Sequence, residues 1–375
     1  MKIVFVSDYL NFHQTALCDC LHSLSDTFYF ISGYSGDGSK SYKQKQERDY
    51  VIYYSKETER AKQEIMSADA VIFGSCPSRL IEMRMSENKL SFVFSERMFK
   101  KSVLQFIKPE NKKIVKNRFL NFKDKNFYVL SASAFLPYDL SLYKFPTEKI
   151  FKWGYFPEIT EIEKIERKEN SILYAGRLLD WKHAETVIHT AKLLKKDKTD
   201  FKVNIVGGGP EKDKLKNLVK KLNLNDCVEF SGMKNHNDVL KIMNEHQIFM
   251  LTSDFKEGWG AVLNEAMANG CAVVASSAAG ATPFLVKHNQ NGKIYKYGNY
   301  KNAYKAVKEL LLNQEKAEEF GKNARVTIEN EYSSEIAAER FVEAVKKFYA
   351  TGSIIPQENG VMSQVDVIKN NWFRS

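Results

Sequence analysis

The sequence predicts an α/β protein with two doubly wound, parallel-sheet domains facing a central cleft. Three observations carry that expectation: a length of 375 residues, two successive alternations of short apolar runs with helical segments, and glycine-bearing turns where those runs end. A chain this long exceeds one ordinary core. Hydrophobic residues make up 43% and charged residues 27%, a globular composition. No stretch approaches the roughly 20 apolar residues that span a bilayer. The opening MKIVFVSDYL places one lysine before a short apolar run with no small-residue cleavage site, so it reads as a first strand and not as a secretion signal.

In the first half the β-branched and aromatic runs are KIVFVS, FYFIS, AVIFGS, LSFVFSE and NFYVLSAS, separated by helical spacing. A polar insertion rich in Gly, Ser and Lys occupies residues 33–56, with some strand at residues 50–54. Residues 153–170 turn and then become highly charged, as an interdomain connection does. A second alternation follows in SILYAG, KVNIVG, CVEFSG, IFMLTS and AVVAS, with helices over 211–222 and 261–269. A last amphipathic helix is expected at 334–349. The domains are therefore placed at 1–155 and 156–333, with residues 334–375 crossing back to the first.

The five cysteines are odd in number, scattered and without metal-ligand spacing, which fits reduced thiols in cytoplasm. A net charge of +10 and a pI near 9.1 call for an anionic partner. Residues 98–127 hold nine Lys/Arg against two Asp/Glu. Phe99, Leu104, Phe106, Ile107, Phe119 and Phe122 interleave with those cations, a pattern shared by a helix on an anionic membrane and by an ordinary solvated helix face.

The chemistry concentrates in the second alternation. Glu257-Gly258-Trp259-Gly260 and, eight positions after the first carboxylate, Glu265 set two acids beside glycines at an expected helix start. Glycines admit a ligand to the backbone, and free N–H groups at a helix start favour phosphate. The acids would repel a phosphate, so their partners are sugar or ribose hydroxyls; a helix cap and a surface acid are the plainer reading. Arg177 and Lys182 follow the strand SILYAG, where two cations suit a diphosphate. Gly207 and Gly208 open a strand-to-helix turn that fails the dinucleotide pattern, because Lys212 stands at the third glycine position. There is no Asp-x-Asp to hold a divalent cation, so catalysis is expected to need neither metal nor cofactor.

Taken in order, AGRLLDWK, VGGGPE, VEFSG and EGWGAVLNEAMANGCAVVAS resemble the family 4 retaining glycosyltransferases of the GT-B fold, over about residues 171–292. The resemblance implies that Arg177 and Lys182 bind the diphosphate of a nucleotide-sugar, that Glu265 holds the ribose, and that Glu257 contacts the transferred sugar. Residues 230–233, ending at Met233, would flank the base. The family often has Gly-x-x-Pro-Glu next; here Gly280-Ala281-Thr282-Pro283 is followed by Phe284.

The first half matches less specifically, with an Asn-x-His-Gln opening (Asn11 to Gln14) similar to that of bacterial polysaccharide glycosyltransferases. His13, just past a strand end at the start of a helix, is a candidate for catalysis and acceptor binding, and Ser95, Glu96 and Arg97, at a strand end, are the other expected acceptor contacts. Domain 1–155 is then the acceptor domain and 156–333 the donor domain. The implied reaction is front-face transfer with retention, a UDP-sugar favoured over a GDP-sugar. The implied setting is lipopolysaccharide or capsule synthesis on a glycan or lipid-linked acceptor, in the cytoplasm or at its membrane face, without nucleic acid. A sugar-nucleotide epimerase of the same fold, and a non-catalytic basic module binding membrane or nucleic acid, stay open as alternatives.

Overall fold

A computed structural model describes residues 1–33, 48–159 and 167–374. The core of the expected polar insertion (34–47) and part of the expected connection (160–166) lie outside the described residues. The chain forms two compact units, Met1–Glu158 with Glu331–Lys369, and Ile159–Asn330 with Asn370–Ser375.

Unit 1 is built on seven strands: β1 (Lys2–Ser7), β2 (Thr27–Ser32), β3 (Val51–Tyr53), β4 (Ala70–Phe73), β5 (Ser91–Ser95), β6 (Phe127–Ser131) and β7 (Ile150–Lys152). Their order is β3-β2-β1-β4-β5-β6-β7, and every pairing is parallel. A parallel sheet covered on both faces buries every side chain of a central strand. That is why Val4, Phe5, Val71, Ile72, Phe92 and Val93 read as continuous apolar runs in the sequence and are all buried. The helices of this unit are α1 (Phe12–Leu24), α2 (Thr58–Ser67), α3 (Ser78–Met85), α4 (Pro109–Arg118) and α5 (Leu136–Ser141).

Unit 2 carries a six-stranded sheet of β8 (Lys168–Ala175), β9 (Lys202–Val206), β10 (Val228–Gly232), β11 (His246–Leu251), β12 (Ala272–Ser276) and β13 (Gly292–Tyr295). Its order is β10-β9-β8-β11-β12-β13, again parallel throughout. Between the strands run α6 (Glu185–Lys196), α7 (Lys212–Lys221), α8 (His236–Glu245), α9 (Ala261–Ala268), α10 (Thr282–Leu285), α11 (Tyr300–Leu312) and α12 (Gln314–Glu331). In α6, Val187, Ile188, Ala191 and Leu194 recur at helical spacing and bury one stripe against Ile172, Val203 and Ile205 of the sheet.

The last helix, α13 (Ser334–Thr351), belongs to unit 1. Ser333 caps it by accepting from the Ile336 amide at 3.2 Å. Gly352, at φ 79°, ends it in the left-handed conformation. Its Phe341 sits edge-on to Phe92 at 4.9 Å and to Trp153 at 5.9 Å. The strands β7 and β13, of three and four residues, have too little pattern to stand out in the sequence.

The basic stretch 98–127 is not one helix. A 3-10 turn (Val103–Ile107), α4 and a second 3-10 turn (Leu120–Phe122) divide it. Phe99, Phe119 and Phe122 point into the unit 1 core, whereas Leu104, Ile107 and Ile114 are exposed among the lysines. The stretch thus has a buried apolar side and an exposed side where apolar and basic residues mix. No helix among the described residues is long and apolar enough to cross a membrane.

Candidate functional site

In a doubly wound sheet the crevice lies beyond the carboxyl ends of the two strands where the winding reverses. In unit 2 those strands are β8 and β11, and the loops that leave them carry Arg177, Lys182 and Glu257. Three successive strand exits are stitched together by main-chain bonds. The amides of Gly176, Gly207 and Leu178 donate to Val206 (3.0 Å), Gly232 (2.8 Å) and Gly208 (2.8 Å) respectively. A Cβ on Gly207, at φ 142°, would lie 1.9 Å from the Gly176 carbonyl oxygen, so no other residue fits. Gly208 sits beside Met233, which is 81% exposed at the end of β10.

Lys182 ends a single 3-10 turn, and His183 follows in the left-handed conformation at φ 50°. The turn is tied to the loop after β11: the Thr252 hydroxyl donates to the Lys182 carbonyl (2.6 Å) and the Asp254 amide to the Trp181 carbonyl (2.9 Å). Its ammonium pairs with the Glu257 carboxylate, which also accepts from the Ser253 hydroxyl at 2.9 Å. Both charged side chains are nearly buried. An incoming diphosphate would compete with Glu257 for the same cation. His183 is gripped by Glu185 (2.7 Å) and by the Tyr297 hydroxyl (3.1 Å), and the Glu185 bond holds its pKa above the ordinary range. Arg177 stands exposed one residue beyond the end of the β8 exit.

Gly260, at φ 101°, starts α9. Glu265 is the fifth residue of that helix, inside the expected 261–269 span, so the alternative reading of it as a helix cap does not hold. It is only 6% exposed, and burial pushes its carboxyl to about 8. The His236 Nδ1 lies 3.8 Å from its Oε1. A second correction concerns Trp259, expected at the donor: its indole is 1% exposed and donates to Asn264 Oδ1 at 2.8 Å. Only its main chain can face a ligand; the side chain belongs to the core. Gly258 is buried beside it. The Glu257 and Trp259 carbonyls accept from the amides of Gly280 (3.2 Å) and Ala281 (3.0 Å). Phe284 packs with its ring 6.1 Å from that of Trp259.

In unit 1 the winding reverses between β1 and β4. Beyond them lies a cavity of about 460 Å³ whose lining includes Asp8, Asn11, Ser75, Glu96, Arg118 and Tyr155. Asp8 accepts from the Ser75 hydroxyl at 2.5 Å, and Glu96 accepts from Tyr155 at 3.2 Å while pairing with Lys100. Ser95 and Glu96 both line this cavity. His13 is half-buried next to it, its ring 6.0 Å from that of Tyr155. Arg97, expected at the acceptor, is instead sealed in the core. Its guanidinium lies 3.2 Å from Asp139 and over the Phe135 ring, while Asp139 also accepts from the amides of Met98 and Phe99. It anchors the loop that presents Glu96.

The sequence reading missed Asp8, Ser75 and Tyr155 in unit 1 and His183, Ser253 and Tyr297 in unit 2. Asp8 and Ser75 do immediately follow apolar runs, which was a usable signal.

Residues 156–327 match the model of the family described as glycosyl transferases group 1. A glycosyltransferase of Haemophilus influenzae, itself uncharacterized, is 32% identical over 173 residues, covering 46% of this chain and 48% of its own. The poly(ribitol-phosphate) alpha-N-acetylglucosaminyltransferase of Staphylococcus aureus is 27% identical over 201 residues, covering 54% and 40%. The matches thus span less than half the length of these relatives. The crystal structure of Anabaena HepE in complex with UDP superposes with a TM-score of 0.70 at 17% identity, over 92% of this chain and all of that one. At that identity the likeness shows the fold, two parallel sheets of GT-B type.

Proposed function

We propose that this chain, whose residues 156–327 match the glycosyl transferases group 1 model, is a glycosyltransferase that moves a hexose or related sugar from a UDP-sugar to a glycan or lipid-linked glycan acceptor with retention. The observation that carries the reading is the Lys182–Glu257 pair at the β8/β11 crevice, with Arg177 beside the glycine-bearing exits. Breaking a sugar–diphosphate bond develops negative charge on the leaving group and positive charge at the anomeric carbon. Lys182 and Arg177 stabilise the first without a metal, and Glu257, released from Lys182 by the diphosphate, lies free to hold the sugar. Glu265 takes the ribose hydroxyls. On this reading the leaving phosphate oxygen accepts the acceptor's proton, so no protein nucleophile is required.

The cavity beyond β1 and β4 binds the acceptor, its carboxylates accepting from sugar hydroxyls. UDP is favoured because HepE was crystallised with it, and a surface polymer such as a capsule or lipopolysaccharide is favoured because the staphylococcal relative acts on poly(ribitol-phosphate). The exposed Leu104, Ile107 and Ile114 among lysines support peripheral contact with an anionic membrane from the cytoplasmic side.

The test is a calorimetric and thermal-shift panel of UDP, GDP, their sugar conjugates and NAD, with and without EDTA, on wild type, Glu265→Ala and Lys182→Ala. Binding of one nucleotide class, indifferent to EDTA and weakened in Glu265→Ala, is expected, with turnover in Lys182→Ala down by about 10²–10³-fold. Silence toward every sugar nucleotide would sink the proposal, and full turnover in Lys182→Ala would remove its electrostatic basis.

A further inference from the structure

A second cavity in unit 2, of about 480 Å³, is walled on one side by the end of the chain. After Lys369 the chain leaves unit 1, and residues 370–374 lie on unit 2 beyond the carboxyl end of β12. The Trp372 indole donates to the Ser277 carbonyl at 2.9 Å, and the Phe373 ring stands edge-on to His288 at 5.2 Å. Both are half-buried, so the segment is held by specific contacts.

The lining chemistry is distinctive. It presents the rings of Phe255, Tyr297 and Phe373, the cations Lys296 and Arg374, and the amide of Asn371; no carboxylate lines it. No salt bridge engages either cation among the described residues, whereas Lys182, Lys256 and Lys293 are each paired with a carboxylate. Phe255 lies two residues before Glu257, and the Tyr297 hydroxyl holds His183, next to Lys182. The cavity therefore borders the donor crevice and shares Tyr297 with it.

We propose that this cavity binds an anionic saccharide unit, a sugar ring bearing a phosphate or carboxylate. Lys296 and Arg374 take the anion, the amide takes a ring hydroxyl, and an aromatic face takes the C–H face of the sugar. A flat base is a poorer fit. Phe255 and Tyr297 meet at 74°, so they do not form the parallel walls that would sandwich one. The saccharide assignment rests on the transferase reading above and deepens it: a substrate carrying negative charge a short distance from the transferred sugar would be gripped by the chain's own tail.

The experiment is saturation-transfer NMR on the full chain with UDP in excess to fill the nucleotide site. The probes are glucose 6-phosphate, methyl α-glucoside, inorganic phosphate and adenosine monophosphate. Glucose 6-phosphate is expected to bind at least about tenfold more tightly than any other probe, to lose about tenfold or more in the K296Q/R374Q double variant, and to weaken several-fold in F373A. These side chains are exposed or half-buried, so the variants should keep the wild-type melting midpoint and the wild-type UDP signal. Equal binding of glucose 6-phosphate by wild type and both variants would overturn the proposal. So would phosphate matching glucose 6-phosphate, since the site would then hold only an anion, or adenosine monophosphate displacing it. Failure of the transferase reading appears separately, as absent UDP binding in wild type, and leaves the response of glucose 6-phosphate to the two variants readable.

Discussion

The two units solve the same topological problem with opposite chemistry. Each winds a parallel sheet outward from two central strands, β1 and β4 in one, β8 and β11 in the other, and each opens a crevice where the winding reverses. In unit 2 the crevice gathers Arg177, Lys182 and three glycine-bearing exits, suited to an anion. In unit 1 it gathers the carboxylates of Asp8 and Glu96 with the hydroxyls of Ser75 and Tyr155 and the single guanidinium of Arg118, a mixed polar lining suited to hydroxyl groups. The fold fixes where a ligand can lie, and the loop residues fix which ligand it is.

The comparison breaks most decisively at Arg97. Its side chain is fully buried against Asp139, and burial raises the Asp139 pKa even with the cation present. Removing one partner leaves a buried charge alone, which costs about 3–5 kcal/mol. Arg97→Ala should therefore melt unit 1 early while UDP binding by unit 2 persists. Two resolved calorimetric transitions, with only the lower one displaced, would check this. An unshifted scan would mean that Asp139 is satisfied without Arg97.

Gly207→Ala is the complementary perturbation in unit 2. The new methyl meets the Gly176 carbonyl at 1.9 Å, and the strand exits must separate. A loss of roughly 3 kcal/mol, near 10 °C in the unit 2 transition, is expected together with weaker UDP binding, and the unit 1 transition should stay in place. Retained UDP affinity in a destabilised variant would show that the glycine triplet serves packing alone.

Glu265 sharpens the contrast through pH. Its folded value near 8 lies above the ordinary 4.5, so the folded chain holds a proton that the unfolded chain releases first. Its stabilising contribution is complete below 4.5 and is lost as pH rises through about 8. Ligand hydroxyls donate to the ionised form, so UDP affinity should move the other way and rise through the same window. Glu265→Gln should flatten both profiles, and calorimetry in buffers of different ionisation enthalpy would register the released proton. A pH-independent wild-type affinity would exclude Glu265 from the ribose contact.

The unequal legibility of the two crevices has a physical origin. In unit 2 the candidate residues stood out because each strand exit carries its own signal: glycines that only close crossings require, cations in the loop after β8, and an acid next to a glycine after β11. Unit 1 spreads its crevice over single polar residues from three strand ends, and Asp8 and Ser75, 67 positions apart, become neighbours only once β1 pairs with β4. Arg97 misled for the same reason, since its partner Asp139 is 42 residues away and nothing local marks it as buried. The span of α9 was legible, but nothing local marks that Trp259, just before it, turns its indole into the core.

The smallest effect tests the weaker half of the comparison. The Ser75 hydroxyl donates to Asp8 at 2.5 Å at the mouth of the unit 1 cavity, where Asp8 is exposed and water can replace the lost donor. Ser75→Ala should leave both thermal transitions and UDP binding unchanged. If the cavity holds the acceptor, Asp8 turns more freely and the acceptor KM rises by about two- to fivefold with kcat little altered, the range expected for one partly solvated hydrogen bond. A fall in kcat with unchanged KM would place Ser75 at the reacting atoms, and no change in either would move the acceptor away from the β1/β4 crevice.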